Sequence, residues 1–577
     1  MFDLLIKNGT VCDGTGAPAF TADIGITGDK ITYIGRELSE AGQQAGQVID
    51  ASGLTVTPGF IDPHTHVDQS VLTDPAMEPY LKQGVTTVVT GNCGYGMAPQ
   101  SDEVFYCSIM DEDFLSLSGA DVNEQLSLFF KRDKAEEAFS QRYGVRPDWN
   151  TFAQFNERCE NLPLGCNMAP LIGYNAVRTS VMGMDCLRTA GEEELQALEY
   201  AVRDCMEAGA FGISSGRDPI YLPGPYACDE EMNRMLHIAA EYGGIFASHT
   251  YNRNKDGFPD RIGGYEEMVR QARGTGIKLN VSHVHVMNMA ESDREAVSAA
   301  EQTLDYFRRL SEQGYDLTYD VIPSPACADF TQRSAGYFLK PLVLMSGSRT
   351  NLASALRRPE EREKIRKAAC GIPTLNEASD TCWLSEFYIL HHRNPAYSGK
   401  SLQTCAEVLK LPLLDTLLEI FSEDADMIMD MVAPDFSEAV DILCQNNRAM
   451  PCSDGTSYAK EVNLTGNPEI PLYPSSMNIS YLPRYLLRYG KTDFEKAVHQ
   501  ASGFVAERFA IDKRGLIKEG NFADLVIIDR DKLYSFDEES DPLKDPLGIV
   551  CVTVNGRIAA TNGRLTGVGS GKVLRKG

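Results

Sequence analysis

The chain has 577 residues, with 54 Lys+Arg against 81 Asp+Glu and a formal charge of −27. Its 43% hydrophobic content supplies a sizeable core, which excludes disorder as the main state. The acidic excess excludes nucleic acid as an expected partner, since phosphate binding needs a basic face.

The start, Met1-Phe2-Asp3-Leu4-Leu5-Ile6-Lys7, has no basic segment leading into an apolar one, so no signal peptide is expected. Short strand-like runs follow at 3–10, 23–26, 30–34 and 47–49, separated by turn signals at Asn8-Gly9, Asp13-Gly14 and Gly28-Asp29. The middle alternates strand and helix. Eight candidate strands fall at 54–62, 85–91, 169–174, 211–215, 244–249, 278–283, 316–321 and 448–454. Amphipathic stretches lie between most of them: 192–208, 229–243, 262–275, 291–314 and 483–510. In the first, Leu195, Leu198, Val202 and Met206 recur at helical steps. Two long connections, 92–150 and 322–447, leave from C-terminal strand ends. The chain closes with strand-like runs at 523–529 and 549–554 and a hairpin signal at Asn555-Gly556.

This order predicts an α/β protein built on a (β/α)8 barrel, with an open doubly wound sheet as the alternative. A small β-sandwich is expected from both termini. The expected divisions are 1–57 and 513–577 for the sandwich, 58–321 with 448–512 for the barrel, and 322–447 for an insertion that covers its mouth. No apolar run approaches the ~18–20 residues of a membrane span, so no membrane association is expected. The 15 cysteines are an odd number without a Cys-x-x-Cys pair, and read as reduced, mostly buried thiols of a cytoplasmic protein.

Chemistry-bearing residues gather where strands end. His64-Thr65-His66 places two imidazoles at i and i+2, on one side of a strand, where both can reach one metal ion. Two unrelated histidines are the alternative. Cys93 ends the β-branched run 86–90 within Gly91-Asn92-Cys93-Gly94; it is either a metal thiolate or a small buried hydrophobe. Ser248-His249 and Ser282-His283 each close a strand, and His285 shares a face with His283. Asp454 sits in Ser453-Asp454-Gly455 at the last strand end, where an Asp-Gly alone would be a turn.

These motifs resemble the amidohydrolase superfamily, and within it the N-acyl-D-amino-acid deacylases (D-aminoacylases). The resemblance also covers Leu4-Leu5-Ile6-Lys7-Asn8-Gly9-Thr10-Val11, Gly209-Ala210-Phe211-Gly212-Ile213-Ser214-Ser215-Gly216, Tyr221-Leu222-Pro223-Gly224-Pro225 and Gly515-Leu516-Ile517-Lys518-Glu519-Gly520. It implies one tightly bound zinc held by Cys93, His249 and His283. It implies a second, weaker metal subsite of His64, His66 and Asp454. It further implies Asp454 as general acid and base, and Tyr221 as a substrate contact.

Three departures stand out. His285 replaces a lysine, Tyr473-Pro474-Ser475 replaces His-Pro-Arg, and Ile322 replaces a tyrosine; in the family these groups grip the substrate carboxylate. Arg217 stands where the family has an apolar residue, either carrying the displaced charge or lying on the surface. The expected activity is zinc-dependent hydrolysis of a non-peptide C–N bond in a small-molecule amide, with N-acyl-D-amino acids first. The alternatives are a cyclic amide, as in hydantoinases and dihydropyrimidinases, or a carbamoyl compound. A non-catalytic scaffold and a metal-storage module are disfavoured because every expected ligand position is filled. Assembly into a homo-oligomer is left open.

Overall fold

The computed structural model describes residues 1–36, 44–107, 114, 118, 129–218, 221–251, 260–286, 292–324, 331–379, 382–430, 437–458, 462, 468–469, 472–474, 477–535 and 544–577. The fold is mixed α/β, and eight short parallel strands carry its middle. They are β1 (Phe60–Asp62), β2 (Val85–Thr90), β3 (Asn167–Pro170, resuming at Ile172–Gly173), β4 (Gly212–Gly216), β5 (Ile245–His249), β6 (Lys278–Val281), β7 (Leu317–Val321) and β8 (Ala449–Pro451). Strands β1, β2 and the first part of β3 pair in sequence, and the second part of β3 continues through β4 to β8. Past β8 the pairing returns to β1. Thr65 and Gly455 form a parallel bridge, Asp454 N donates to His64 O at 3.1 Å, and His66 N donates to Gly455 O at 2.7 Å.

Strand composition follows from this placement. β2 reads Val-Thr-Thr-Val-Val-Thr and is buried at every position, as expected for a parallel strand covered on both faces. Ile61, Val89, Ala169, Ile245, Ala247 and Met450 share one apolar cluster with Val505 and Phe509 of the helix Gly503–Phe509. The larger core joins strands to the surrounding helices. Helix Glu192–Glu207, for example, buries Leu195, Leu198, Val202, Cys205 and Met206.

Both termini enter one nine-stranded sheet. They are joined where Thr55–Pro58 pairs antiparallel with Leu525–Ile528 and parallel with Phe2–Val11. The single strand expected at 54–62 is therefore two. Gly59 separates them, and a Cβ there would lie 2.1 Å from Thr86 Oγ1, so the crossing requires glycine. The turn expected at Asn8-Gly9 is instead a bulge within Phe2–Val11, because Gly9 lies against Val56 rather than leaving the sheet. The helical stretch expected at 483–510 resolves into Met477–Tyr489, Phe494–Gln500 and Gly503–Phe509. Asp493 starts the second by accepting a hydrogen bond from Lys496 N at 3.0 Å.

The 322–447 segment builds its own apolar cluster, drawn from Ala335 to Met429. Its strands Thr331–Ser334, Tyr388–His391, Lys400–Ser401 and Ile428–Asp430 form a sheet completed by Leu472–Pro474, which follows β8. Among the described residues no helix is long and apolar enough to cross a membrane.

Candidate active site

The six ligand candidates come from five strand ends. His64 and His66 follow β1, Cys93 follows β2, His249 ends β5, His283 follows β6 and Asp454 follows β8. Three of them sit in the left-handed region, Cys93 at φ 55°, His283 at φ 32° and Asp454 at φ 51°. A side chain there costs about 1–3 kcal/mol and persists only where neighbours enforce it. The enforcing contacts are visible. Ser214 Oγ takes a hydrogen bond from Gly94 N at 2.9 Å and donates to Gly91 O, clasping the Cys93 loop from β4. Asp320 Oδ1 accepts from His283 N at 2.6 Å. Asp454 N is held by His64 O. Gly91 is left-handed at φ 76°, and a Cβ there would meet Leu171 O at 2.3 Å. This accounts for the glycine before Cys93.

The side chains converge. Cys93 Sγ lies 3.2 Å from His64 Nε2, 3.4 Å from His283 Nε2 and 3.6 Å from His249 Nδ1. His249 Nδ1 and His283 Nε2 are 2.7 Å apart. Asp454 Oδ1 lies 3.0 Å from His66 Nε2 and 3.2 Å from His64 Nε2. One ligand atom from each of His64, Cys93, His283 and Asp454 falls within 4.8 Å of all the others. The first three are buried and Asp454 is partly exposed. Imidazole nitrogen, thiol sulfur and carboxylate oxygen aimed at one point in a buried pocket make a donor set that fits zinc.

The charges are strongly coupled. Burial would push the Cys93 thiol up, but the His64 and His283 imidazoles hold it well below the ordinary thiol range. Burial likewise opposes ionisation of Asp454, and the same two imidazoles reverse the effect and hold its carboxyl well below the ordinary range. Burial disfavours protonated His66, yet its bond to Asp454 and the nearby Cys93 raise it to about 9.

Tyr221 lies beside this cluster, its ring 4.1 Å from that of His249 and stacked at 5.2 Å on Tyr95. His285 is half-buried with its ring 6.2 Å from His283, and burial together with the neighbouring imidazoles pushes it down to about 3. Arg217 does not join the cluster, nor does it lie on the surface. Its guanidinium is buried against Glu267, with Nε to Oε2 at 3.0 Å and Nη2 to Oε1 at 2.9 Å. It also donates to the carbonyls of Gly224 and Ala227. Four donor contacts are thus internal, out of the five N–H groups a guanidinium has.

Within 322–447, Asp329 and the Arg333 side chain lie outside the described residues. Arg349 pairs with Asp426 at 3.2 Å, His391 is exposed, and His392 is buried with Nε2 3.2 Å from Ile420 O. Arg393 is 73% exposed. Of Tyr473-Pro474-Ser475, the first two lie in the strand that pairs with Thr331–Ser334, and Ser475 lies outside the described residues.

Sequence reasoning missed three neighbours. Asp320 on β7 lies 3.0 Å from His64 Nδ1, Asp218 Oδ2 lies 2.8 Å from His249 Nε2, and Tyr95 faces both His66 and Tyr221. A signal existed for the first two: each is an acid within two residues of a strand's C-terminal end.

Comparison with known proteins gives this geometry relatives. Residues 47–106 match the model described as Amidohydrolase family. The chain is 28% identical to a D-aminoacylase of Alcaligenes xylosoxydans xylosoxydans, across all of this chain and 98% of that protein. The chain is thus similar to amidohydrolases at residues 47–106 and to a D-aminoacylase along its whole length. An N-acyl-D-aspartate deacylase of the same organism is 26% identical across all of this chain and 95% of its own length. A solved D-aminoacylase, studied for its binuclear metal centre, matches with a TM-score of 0.67 and 25% identity, covering both chains completely.

Proposed function

We propose that this protein cleaves the amide bond of N-acyl-D-amino acids with a metal held at the strand-end cluster. The observation that carries the reading is the convergence of Cys93, His64, His283 and a partly exposed Asp454 on one point, with His249 Nδ1 3.6 Å from the Cys93 sulfur. Cys93, His249 and His283 would hold a tightly bound zinc, and His64, His66 and Asp454 a weaker second ion. The D-aminoacylase and deacylase relatives support the substrate class. We read the eight strands and their helices, 58–321 and 448–512, as a (β/α)8 barrel. We read 1–57 with 513–577 as a β-sandwich built from both ends, and 322–447 as a cover over the barrel mouth.

When bound, zinc lowers the pKa of water toward ~7 and polarises a carbonyl. The chain's own contribution is proton handling and placement. Asp454 is ionised and partly open to solvent, so it can take the proton of the attacking water. It then delivers that proton to the amide nitrogen, which otherwise leaves poorly as an anion. His66, 3.0 Å from Asp454 Oδ1, fixes the carboxylate's orientation during both transfers. Tyr221 walls one side and orients the substrate against His249.

A second reading, hydrolysis of a cyclic amide or a carbamoyl compound, is favoured by Arg217. Its charge is already matched by Glu267, which removes one candidate for the grip on a substrate carboxylate. Zinc-loaded protein tested on paired N-acyl-D- and N-acyl-L-amino acids, cyclic imides, hydantoins and carbamoyl compounds separates the two. Release from D-isomers alone is the expected result. Turnover of hydantoins without release from N-acyl-D-amino acids would transfer the assignment to the second reading.

A further inference from the structure

The carboxylate of Asp320 is completely buried, and it lies behind the metal cluster rather than in it. Its Oδ1 is 3.0 Å from His64 Nδ1, with the ring turned off the straightest line. The other ring nitrogen, Nε2, faces Cys93 Sγ and Asp454 Oδ1, each at 3.2 Å. Among the described residues, Asp320 is the one polar group this close to Nδ1. The same carboxylate accepts from His283 N at 2.6 Å, from Asn280 Nδ2 at 2.5 Å and from Cys452 Sγ at 3.4 Å. Asp320 therefore touches groups following or within β1, β6 and β8 from its own place on β7.

We infer that Asp320 is a positioning residue that keeps the proton of His64 on Nδ1, leaving the Nε2 lone pair turned to the metal point, while the same carboxylate holds the strained His283 backbone in place. A neutral imidazole carries one proton, and the partner of one nitrogen decides which nitrogen keeps it. A carboxylate only accepts, so it selects Nδ1–H. Outer carboxylates of this kind also raise ligand basicity, and their loss typically weakens metal binding about 10–100-fold. The inference rests on the metal-site reading above, but not on the substrate.

Asp320→Asn tests it. An amide oxygen at the Oδ1 position can still accept from His283 N, so the strand ends remain tied, while the negative charge that favours a proton on His64 Nδ1 and raises the ring's basicity is removed. Affinity for the second, weaker zinc, the one His64 would hold, measured by competition with a chromophoric chelator, should fall about 10–100-fold with the circular dichroism spectrum unchanged. Affinity within twofold of wild type in a folded variant overturns the inference. A second measurement needs no variant at position 320. In zinc-loaded wild-type protein with ¹⁵N-labelled imidazoles, the His64 resonances are identified by their loss in His64→Gln. They should show a proton on Nδ1 and the metal on Nε2; the reverse tautomer overturns the inference. A purely structural Asp320 would not set that tautomer. Neither readout involves turnover. Failure to hydrolyse N-acyl-D-amino acids leaves the inference standing, whereas wild-type protein that takes up no zinc defeats it.

Discussion

At the ends of the parallel strands, imidazole, thiol and acidic side chains are sunk into the protein and face one another. In the 322–447 segment the arrangement is inverted. The interior is Leu, Ile, Phe and Met, and the charged groups there pair with one another or with solvent. The first region accepts strain, with three left-handed side chains and a buried group of imidazoles, thiol and carboxylates, in return for convergence. The second is ordinary apolar packing around a separate core. The difference locates the chemistry. Burying an ionisable group is expensive unless a partner or an ion compensates it, so a cluster of such groups persists where it does something packing cannot.

The comparison breaks most sharply at Asp454. Asp454→Asn should keep the fold and the tightly bound zinc but lower kcat about 10²–10⁴-fold, the range general acid–base catalysis supplies. A variant with more than a tenth of wild-type kcat would remove Asp454 from that role. Cys93→Ala addresses the site from the metal side. Zinc per chain, read by atomic emission, should fall well below that of wild type; unchanged stoichiometry would make Cys93 a packing residue.

Arg217 tests whether a buried charge at the edge of the site is structural. Arg217→Met leaves Glu267 as a partly buried, unmatched carboxylate and removes the guanidinium's bonds to two carbonyls, and should destabilise the protein by about 1–3 kcal/mol, seen as a lower calorimetric Tm. Arg217→Met with Glu267→Met should recover most of that loss, because replacing both partners by apolar groups is often neutral. Unchanged stability with a raised KM would instead return Arg217 to the substrate.

The contrast also explains what could be read without coordinates. His64 and His66 were legible because strand periodicity puts i and i+2 on one side, and Cys93, His249, His283 and Asp454 because each closes an apolar or β-branched run. Asp320 was not legible as a partner of His64, since an acid near a strand end reads equally well as a turn residue; only the ring of strands brings it to an imidazole some 250 residues away (320 against 64). The left-handed backbone at Cys93 and Asp454 was hinted at by the adjacent glycines, whereas His283 has none beside it. Arg217 was misjudged in both directions because it follows β4 while its partner Glu267 lies on the helix Arg261–Gln271, and sequence spacing carries no trace of that pair. The split at Gly59 escaped because Thr55–Pro58 and Phe60–Asp62 form one unbroken apolar pattern, while the steric limit comes from Thr86.

The gentlest tests fall in the insertion and ask whether its core is separate from the site. Leu417 is fully buried in that core, so Leu417→Ala should cost about 2–5 kcal/mol of local stability. Zinc per chain should be unchanged, because the apolar cluster from Ala335 to Met429 contains none of the strand-end residues. Loss of zinc in that variant would show the two regions to be one cooperative unit. Arg393 marks the lower limit. Its side chain is 73% exposed and sits 3.9 Å from Asp424, so Arg393→Ala should change stability by less than about 0.5 kcal/mol and leave kcat and KM where they were. A rise in KM with Tm unchanged would mean that this arginine reaches the substrate when the site is filled. The 322–447 segment would then contribute chemistry to the site.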